Sequence, residues 1–169
     1  MAIVYVGIGS NIDAEAMVTA GVHALQREFD QLECSPVYRT AAVGFDGDPF
    51  LNLVCRFSTD SDVSEVDRRL HAIEDRHGRR RDGPKFSSRT LDIDLLMYDQ
   101  QCLQQDSLTL PRGEILRYAF VLRPLADLAP DLLHPQTGTS MAKLWQEFDT
   151  QDQALEKLDL TLCPASPRT

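Results

Sequence analysis

The stretch Thr90-Leu91-Asp92-Ile93-Asp94-Leu95-Leu96-Met97-Tyr98 is predicted to form the last core strand of the fold. From Leu91 to Leu95 its apolar and acidic residues alternate, as side chains do along a strand that buries one face. Just upstream, residues 62–77 carry apolar side chains at helical spacing and predict an amphipathic helix. A helix followed by a strand is the second half of a β-α-β-β-α-β arrangement, so the first half is expected upstream.

The residues before this helix supply the remaining elements in that order. Residues 3–8 predict a buried strand that ends in a turn at Gly9-Ser10-Asn11, and residues 14–29 predict a helix. Residues 32–40 and 50–59 predict two further strands. The predicted fold class is therefore α+β, with a ferredoxin-like βαββαβ core, an antiparallel sheet with helices on one face, and C-terminal additions.

The additions predicted after this core are a short partner strand at Cys102 and Leu103, and two helices at residues 119–128 and 141–148. No internal repeat or linker interrupts the chain. We expect a single domain over residues 1–150, followed by a polar, frayed tail over residues 151–169.

Composition limits the classes of protein to which the chain can belong. Its length of 169 residues fits one domain, and no apolar run approaches the roughly 20 residues that span a bilayer. The N-terminal residues predict a strand and not a signal peptide, so we expect a cytoplasmic protein without a membrane partner. The four cysteines are scattered, which predicts free thiols and argues against zinc. A net charge of −9 disfavours nucleic acid as a partner.

Positive charge is nevertheless concentrated between Arg68 and Arg89. Arg79, Arg81 and Arg89 can offer planar, permanently charged forks to phosphate oxygens. Residues 78–88 lack periodicity and are long for a connection, which is typical of a lid over a bound ligand. The alternative is a solvated helix face that continues into a loop.

Asp92 and Asp94 are predicted to share one face of the last core strand. Two neighbouring carboxylates repel each other, and aspartate disfavours strands. A hard divalent cation removes the repulsion, and magnesium commonly takes one or two carboxylates together with the phosphates of a nucleotide. The pair therefore predicts a magnesium–ATP site, with an exposed strand face carrying incidental acids as the alternative.

Phe50 and Asn52 are predicted to face the same way on the third strand. An aromatic ring beside an amide suits a heteroaromatic ligand with a donor and acceptor edge. A core phenylalanine beside a turn-capping asparagine is the alternative interpretation.

With these residues in hand, the chain resembles the hydroxymethyl-dihydropterin pyrophosphokinase family of the folate pathway over roughly residues 2–138. The resemblance rests on an ordered set of motifs: Gly9-Ser10-Asn11, Tyr38-Arg39-Thr40, Phe50-Leu51-Asn52, Glu74, Gly78-Arg79, Ser88 to Leu95, Leu108 to Pro111, Phe120 to Leu125, and Ala129-Pro130. The block Arg89-Thr90-Leu91-Asp92-Ile93-Asp94 is the most specific of them.

The resemblance implies a role for each matching residue. Arg79, Arg89, Asp92 and Asp94 are implied to be catalytic, with Asp92 and Asp94 as the ligands of two magnesium ions. The ATP site is implied to comprise His71, Glu74, Arg79, Arg81, Arg89, Leu95, Thr109 and Arg112. The pterin site is implied to comprise Thr40, Ala41, Val43, Phe50, Asn52 and Phe120, with the two phenylalanine rings on opposite faces of the pterin.

The implied reaction is a direct displacement in which the hydroxymethyl oxygen attacks the β-phosphorus of ATP, pyrophosphate is transferred and AMP leaves. The partners are then ATP and a reduced pterin, and a monomer is expected. Metal ions and arginines would stabilise the charge that develops on the phosphate oxygens.

Five positions depart from the family pattern: Ala41, Phe86, Arg112, Gly113 and Tyr118. Two interpretations follow, an active pyrophosphokinase and a catalytically weak paralogue that binds pterin or nucleotide in a regulatory role. Retention of the repulsive acid pair favours the first. An RNA-binding ferredoxin-like domain would need exposed aromatic residues within a basic surface, which this acidic chain lacks.

Overall fold

A computed structural model describes residues 1–42, 46–78, 91–105, 107–160 and 162–163. The elements in these ranges are β1 (Ala2–Ser10), α1 (Ala14–Glu28), β2 (Asp30–Cys34), β3 (Val37–Thr40), β4 (Phe50–Thr59), α2 (Val63–Arg76), β5 (Asp92–Tyr98), β6 (Leu103–Gln105), β7 (Leu108–Leu110), α3 (Glu114–Arg117), α4 (Ala119–Leu128), α5 (Met141–Gln146) and β8 (Glu156–Leu158).

The main sheet has the strand order β5-β1-β4-β3-β8, and β2 also pairs with β4. Each of these pairs is antiparallel. The order is that of a ferredoxin-like core in which β2 and β3 together occupy the place of the second strand. The predicted α+β fold class is thus confirmed.

The prediction of one strand over residues 32–40 is wrong in one respect: this stretch forms two strands, β2 and β3. The break falls at Ser35 and Pro36, where proline has no N–H to donate to a ladder. Ser35 keeps the neighbouring strand paired: its N–H donates to the Val54 carbonyl oxygen at 2.8 Å, and its hydroxyl accepts the Val54 N–H at 2.9 Å.

The sheet has a buried apolar layer on each face. On one face, alternate residues of the central strands pack with the apolar sides of α1 and α2. Helix α2 is capped at its N-terminus by Asp62, whose side chain accepts the Glu65 N–H at 2.9 Å. The expectation of helices on one face alone is wrong, because α3, α4 and α5 pack on the opposite face against Tyr5, Val54 and Leu96. In the described part of the chain, no helix is both long and apolar enough to cross a membrane.

The C-terminal half differs from the sequence prediction at two places. The strand expected at Cys102 and Leu103 as a partner of β5 pairs instead with β7 in a separate two-stranded sheet. The expectation of a frayed tail after Gln151 is wrong for β8, which extends the main sheet by pairing with β3. Arg39 and Glu156 join these strands through an ion pair of 3.0 Å.

The prediction of free thiols is confirmed for Cys55 and Cys102 and is wrong for Cys34 and Cys163. Cys34 and Cys163 form a disulfide that links the end of β2 to the chain beyond β8. Cys55 is a buried free cysteine, and burial raises the pKa of its thiol. Cys102 is free and exposed. The sequence spacing gave no signal of the disulfide, because its partners meet only when β8 joins the sheet.

Candidate active site

The register of β1 with its two neighbours brings the predicted acidic and amide residues onto one face of the sheet. Gly9 pairs with Asp92 on β5 and with Asn52 on β4, and Gly7 pairs in the same way with Asp94 and Val54. Directly paired residues of antiparallel strands point to the same face. Asp92, Gly9 and Asn52 therefore form one row across the sheet. Because adjacent strands lie about 4.8 Å apart, the acidic and amide ends of this row are about 10 Å apart.

The alternation predicted for β5 is confirmed. Ile93 and Leu95 are buried in the core beneath α1 and α2, whereas Asp92 and Asp94 are half-buried on the opposite face. The side chain of Asp94 is 37% exposed. A solute can therefore reach this carboxylate, as a metal ligand requires.

Glu74 lies under the acid pair as a buried carboxylate. Its side chain on α2 is 2% exposed, and its Oε2 accepts the backbone N–H of Ile93 at 2.9 Å. Ile93 separates the two aspartates, so this bond fixes the backbone from which both side chains project. Glu74 was predicted to bind nucleotide, and the structure gives it this positioning contact on the strand.

We expect Glu74→Ala to destabilise the protein and to lower its activity. The substitution leaves the buried N–H of Ile93 without this acceptor, which costs about 1–3 kcal/mol of unfolding free energy. Chemical denaturation measures the loss. Glu74→Gln is the matched control, because its amide oxygen can still accept the bond and should restore most of the stability. Equal destabilisation by both substitutions would contradict the positioning role.

Arg112 joins the acidic end of the row from the segment after β7. Its Nη2 lies 3.5 Å from Asp94 Oδ1, and its Nε lies 3.1 Å from Glu114 Oε2. A carboxylate enclosed permanently by an internal arginine could not hold a cation. Here the guanidinium is shared between two carboxylates, and Asp94 remains partly exposed, so the site is still accessible.

The amide end of the row is held more tightly. Asn52 is 7% exposed, and its Nδ2 donates to Thr40 Oγ1 at 2.9 Å. This bond uses one of the two Nδ2 hydrogens, so the amide retains a donor and its Oδ1 acceptor. Thr40 pairs with Phe50 in the register of β3 and β4, which places three predicted pterin-site residues together.

The two predicted aromatic residues are both half-buried. Phe50 begins β4, and Phe120 is the second residue of α4. The Phe120 ring stacks on Tyr118, with ring centroids 5.1 Å apart. Farther along α4, Arg123 and Asp127 contact the hydroxyl of Tyr38, and this contact ties the helix to β3.

The remaining predicted residues fall into three groups. Arg79, Arg81, Arg89 and Val43, together with the lid predicted at residues 78–88 apart from Gly78, lie outside the described residues. His71, Thr109 and Ala41 are exposed, on α2, on β7 and just after β3 respectively. Leu95 is not brought to the acid face, because its side chain is 2% exposed in the core beneath α1 and α2.

Gly9 is a site residue that the sequence analysis missed, and Gly7 lies on the same face two residues earlier. The sequence suggested that Gly9 begins a turn, but β1 continues through it to Ser10. A Cβ built on Gly9 would lie 2.8 Å from Asn52 Oδ1, so glycine gives the amide its space. The sequence signal for this site was the presence of glycine at alternate positions of β1, Gly7 and Gly9, which leaves a strip without side chains along one face of the strand.

The chemistry of the acid pair fits magnesium. In the described residues, no group of three or more histidine, cysteine, aspartate or glutamate side chains could hold a metal ion. A metal site whose ligands all come from the protein is therefore not found among the described residues. Magnesium accepts a smaller set, because it is often held by one or two carboxylates while water and substrate phosphates complete its coordination.

Comparison with known proteins identifies a family that matches most of the chain. Residues 5–130 match the family model described as 7,8-dihydro-6-hydroxymethylpterin-pyrophosphokinase. A Pseudomonas aeruginosa 2-amino-4-hydroxy-6-hydroxymethyldihydropteridine pyrophosphokinase is 38% identical over 136 residues, which are 78% of this chain and 83% of the relative. The enzyme of the same name from Synechocystis sp. is 32% identical over 154 residues, 85% of this chain and 75% of the relative.

A solved structure shows the same fold at low sequence identity. The wild-type HPPK-DHPS of Plasmodium falciparum superimposes with a TM-score of 0.68 at 11% identity. The superposition covers 86% of this chain and 44% of the Plasmodium chain. The present chain thus spans less than half the length of that protein.

Proposed function

The chain belongs to the 7,8-dihydro-6-hydroxymethylpterin-pyrophosphokinase family, and from this premise we propose that the row Asp92–Gly9–Asn52 spans its two substrate sites. The protein is an ATP-dependent pyrophosphokinase that transfers the pyrophosphoryl group of ATP to 6-hydroxymethyl-7,8-dihydropterin in folate biosynthesis. The acidic end of the row would take magnesium–ATP, and the amide end would take the pterin.

Asp92 and Asp94 are the proposed ligands of two magnesium ions. The half-buried positions of both residues on one strand face support this assignment, and Glu74 holds the backbone between them. When bound, magnesium would neutralise phosphate charge and orient the triphosphate. Arg79, Arg89 and Arg81 are proposed to bind the same phosphates, with His71, Thr109 and Arg112 also on the nucleotide side.

Asn52 is the proposed reader of the pterin's hydrogen-bonding edge. Its bond to Thr40 orients the amide before the substrate arrives, which lowers the entropy lost on binding. Phe50 and Phe120 are proposed to stack on the pterin ring, and the backbone near Ala41 and Val43 to line the pocket. Orientation matters because the transfer of a phosphoryl-type group depends mainly on positioning and charge stabilisation.

In the proposed transfer, the hydroxymethyl oxygen forms a bond to the β-phosphorus as the bond from that phosphorus to the bridging oxygen of AMP breaks, and the hydroxyl proton passes to solvent. Gly9 lies between the two ends of the row and, without a side chain, lets both substrates approach the sheet closely. The observation that carries the proposal is that the registers of β1 with β4 and with β5 place Asp92 and Asn52 on the same face, on either side of Gly9.

We further propose that the chain forms one catalytic domain, with β8 in its main sheet, and that it acts as a monomer in the cytoplasm. The net charge of −9 supports the monomeric state, because like-charged molecules repel one another. A cytoplasmic location agrees with the use of ATP as a co-substrate.

The test is an assay of AMP release from purified protein with ATP, magnesium and 6-hydroxymethyl-7,8-dihydropterin. We expect AMP to form only when both the pterin and magnesium are present. Omission of the pterin and removal of the metal with a chelator are the controls. Saturable pterin binding without AMP would instead favour the regulatory paralogue.

A further inference from the structure

Arg112 is anchored on the strand that carries the acid pair. Its backbone N–H donates to the carbonyl oxygen of Leu96 at 2.9 Å, two residues beyond Asp94. Its side chain returns along the strand, so that Nη2 lies 3.5 Å from Asp94 Oδ1. The guanidinium therefore occupies one flank of the acid pair.

Two carboxylates of the described residues, Asp94 and Glu114, lie within ion-pair distance of this guanidinium. Burial alone would lower the pKa of Arg112, but the charges of Asp94, Glu114, Asp92 and Glu74 together raise it. The hydrogen-bond geometry is incomplete, however. Within the part of the chain that the structure describes, the buried Nε has no acceptor with hydrogen-bond geometry, although Glu114 lies at ion-pair distance.

We propose that Arg112 is an internal counter-cation of the acid pair, which weakens divalent-cation binding until nucleotide is present. The inference rests on the proposed function, because it takes Asp92 and Asp94 as the metal ligands. It adds a positioning residue that couples uptake of the metal to binding of the nucleotide.

The coupling follows from competition for one carboxylate. A cation that approaches Asp94 competes with the guanidinium for the negative charge of one carboxylate and is repelled by the positive charge of Arg112. Bound nucleotide weakens both the competition and the repulsion, because its phosphates supply additional metal ligands and offer Arg112 another anionic partner. Metal and nucleotide should therefore bind with positive cooperativity, and Arg112 should account for part of it.

The experiment is a titration of the full chain with Mn²⁺, with free Mn²⁺ followed by electron paramagnetic resonance. Arg112→Gln removes the charge and keeps a polar side chain of similar reach. We expect it to tighten Mn²⁺ binding to nucleotide-free protein by about tenfold, the scale of one close charge partner or ligand-orienting residue. With a non-hydrolysable ATP analogue present, we expect this gain to be lost.

A second variant tests the role of Arg112 through its other ion-pair partner, Glu114. Glu114→Gln removes the carboxylate that competes for Arg112, so Mn²⁺ binding to nucleotide-free protein should weaken. If Glu114 acts through Arg112, this effect disappears in the Arg112→Gln background. Circular dichroism confirms that each variant is folded.

The outcomes separate this inference from the proposed function. Nucleotide-free Mn²⁺ affinity in Arg112→Gln that equals or falls below that of the original protein would overturn the counter-cation role. A gain that persists unchanged with the analogue would overturn the coupling. If Asp94→Asn leaves Mn²⁺ uptake unchanged even with the analogue, the metal assignment itself fails.

Discussion

Asp94→Asn is expected to lower the turnover number for pyrophosphoryl transfer by about 1,000-fold or more, because it removes a charged metal ligand that contributes several kcal/mol to transition-state stabilisation. Asparagine has nearly the same shape and remains polar, so the half-exposed position on β5 should tolerate it. The measurement is AMP release at saturating ATP and pterin, with thermal unfolding to confirm that the fold is retained.

Asp131→Asn is the matched control, since it makes the same chemical change at an exposed position after α4. It should retain the original activity. A second criterion is the magnesium dependence: residual activity in Asp94→Asn should need more magnesium. Near-normal turnover at the original magnesium concentration would show that Asp94 does not hold the metal.

The fold could be predicted from the sequence because its elements have strong local patterns. The alternation from Leu91 to Leu95 predicted a strand with both aspartates on one face, and the burial pattern of β5 confirms this prediction. The same alternation places the Leu95 side chain on the core face, so its assignment to the ATP site rested on the family resemblance alone. At Ser35 and Pro36 the prediction missed the break, although a proline inside a strand pattern is itself a signal of an interruption.

The arrangement of the site depends on contacts that local patterns do not encode. The row through Gly9 requires the registers of two strand pairs, and a shift of one residue would place Asn52 on the other face. The role of Glu74 depends on how α2 sits against β5, which brings its carboxylate to the Ile93 N–H. Likewise, the sequence offered no reason to bring Arg112 to Asp94, since hydrogen bonding between the segment after β7 and Leu96 sets their approach.

Gly9→Ala is expected to weaken pterin binding by about 10- to 100-fold, because it disturbs an amide that would contribute one or two hydrogen bonds. The added Cβ would lie 2.8 Å from Asn52 Oδ1, which is closer than the two atoms can approach. Asn52 has little room to move, since it is buried and bonded to Thr40. Binding of the pterin to each variant can be followed by its intrinsic fluorescence.

Gly7→Ala supplies the matched control two residues along the same strand. Its Cβ would meet the side chain of Leu96 at 3.6 Å, an ordinary van der Waals contact, so pterin affinity should be essentially unchanged. Neither glycine needs a left-handed backbone, and alanine loses less conformational entropy than glycine in a strand. Any loss seen only in Gly9→Ala therefore reports on the amide and not on the strand. Equal losses in both variants would mean that the strip matters for strand packing, and the assignment of Asn52 to the pterin would lose its support.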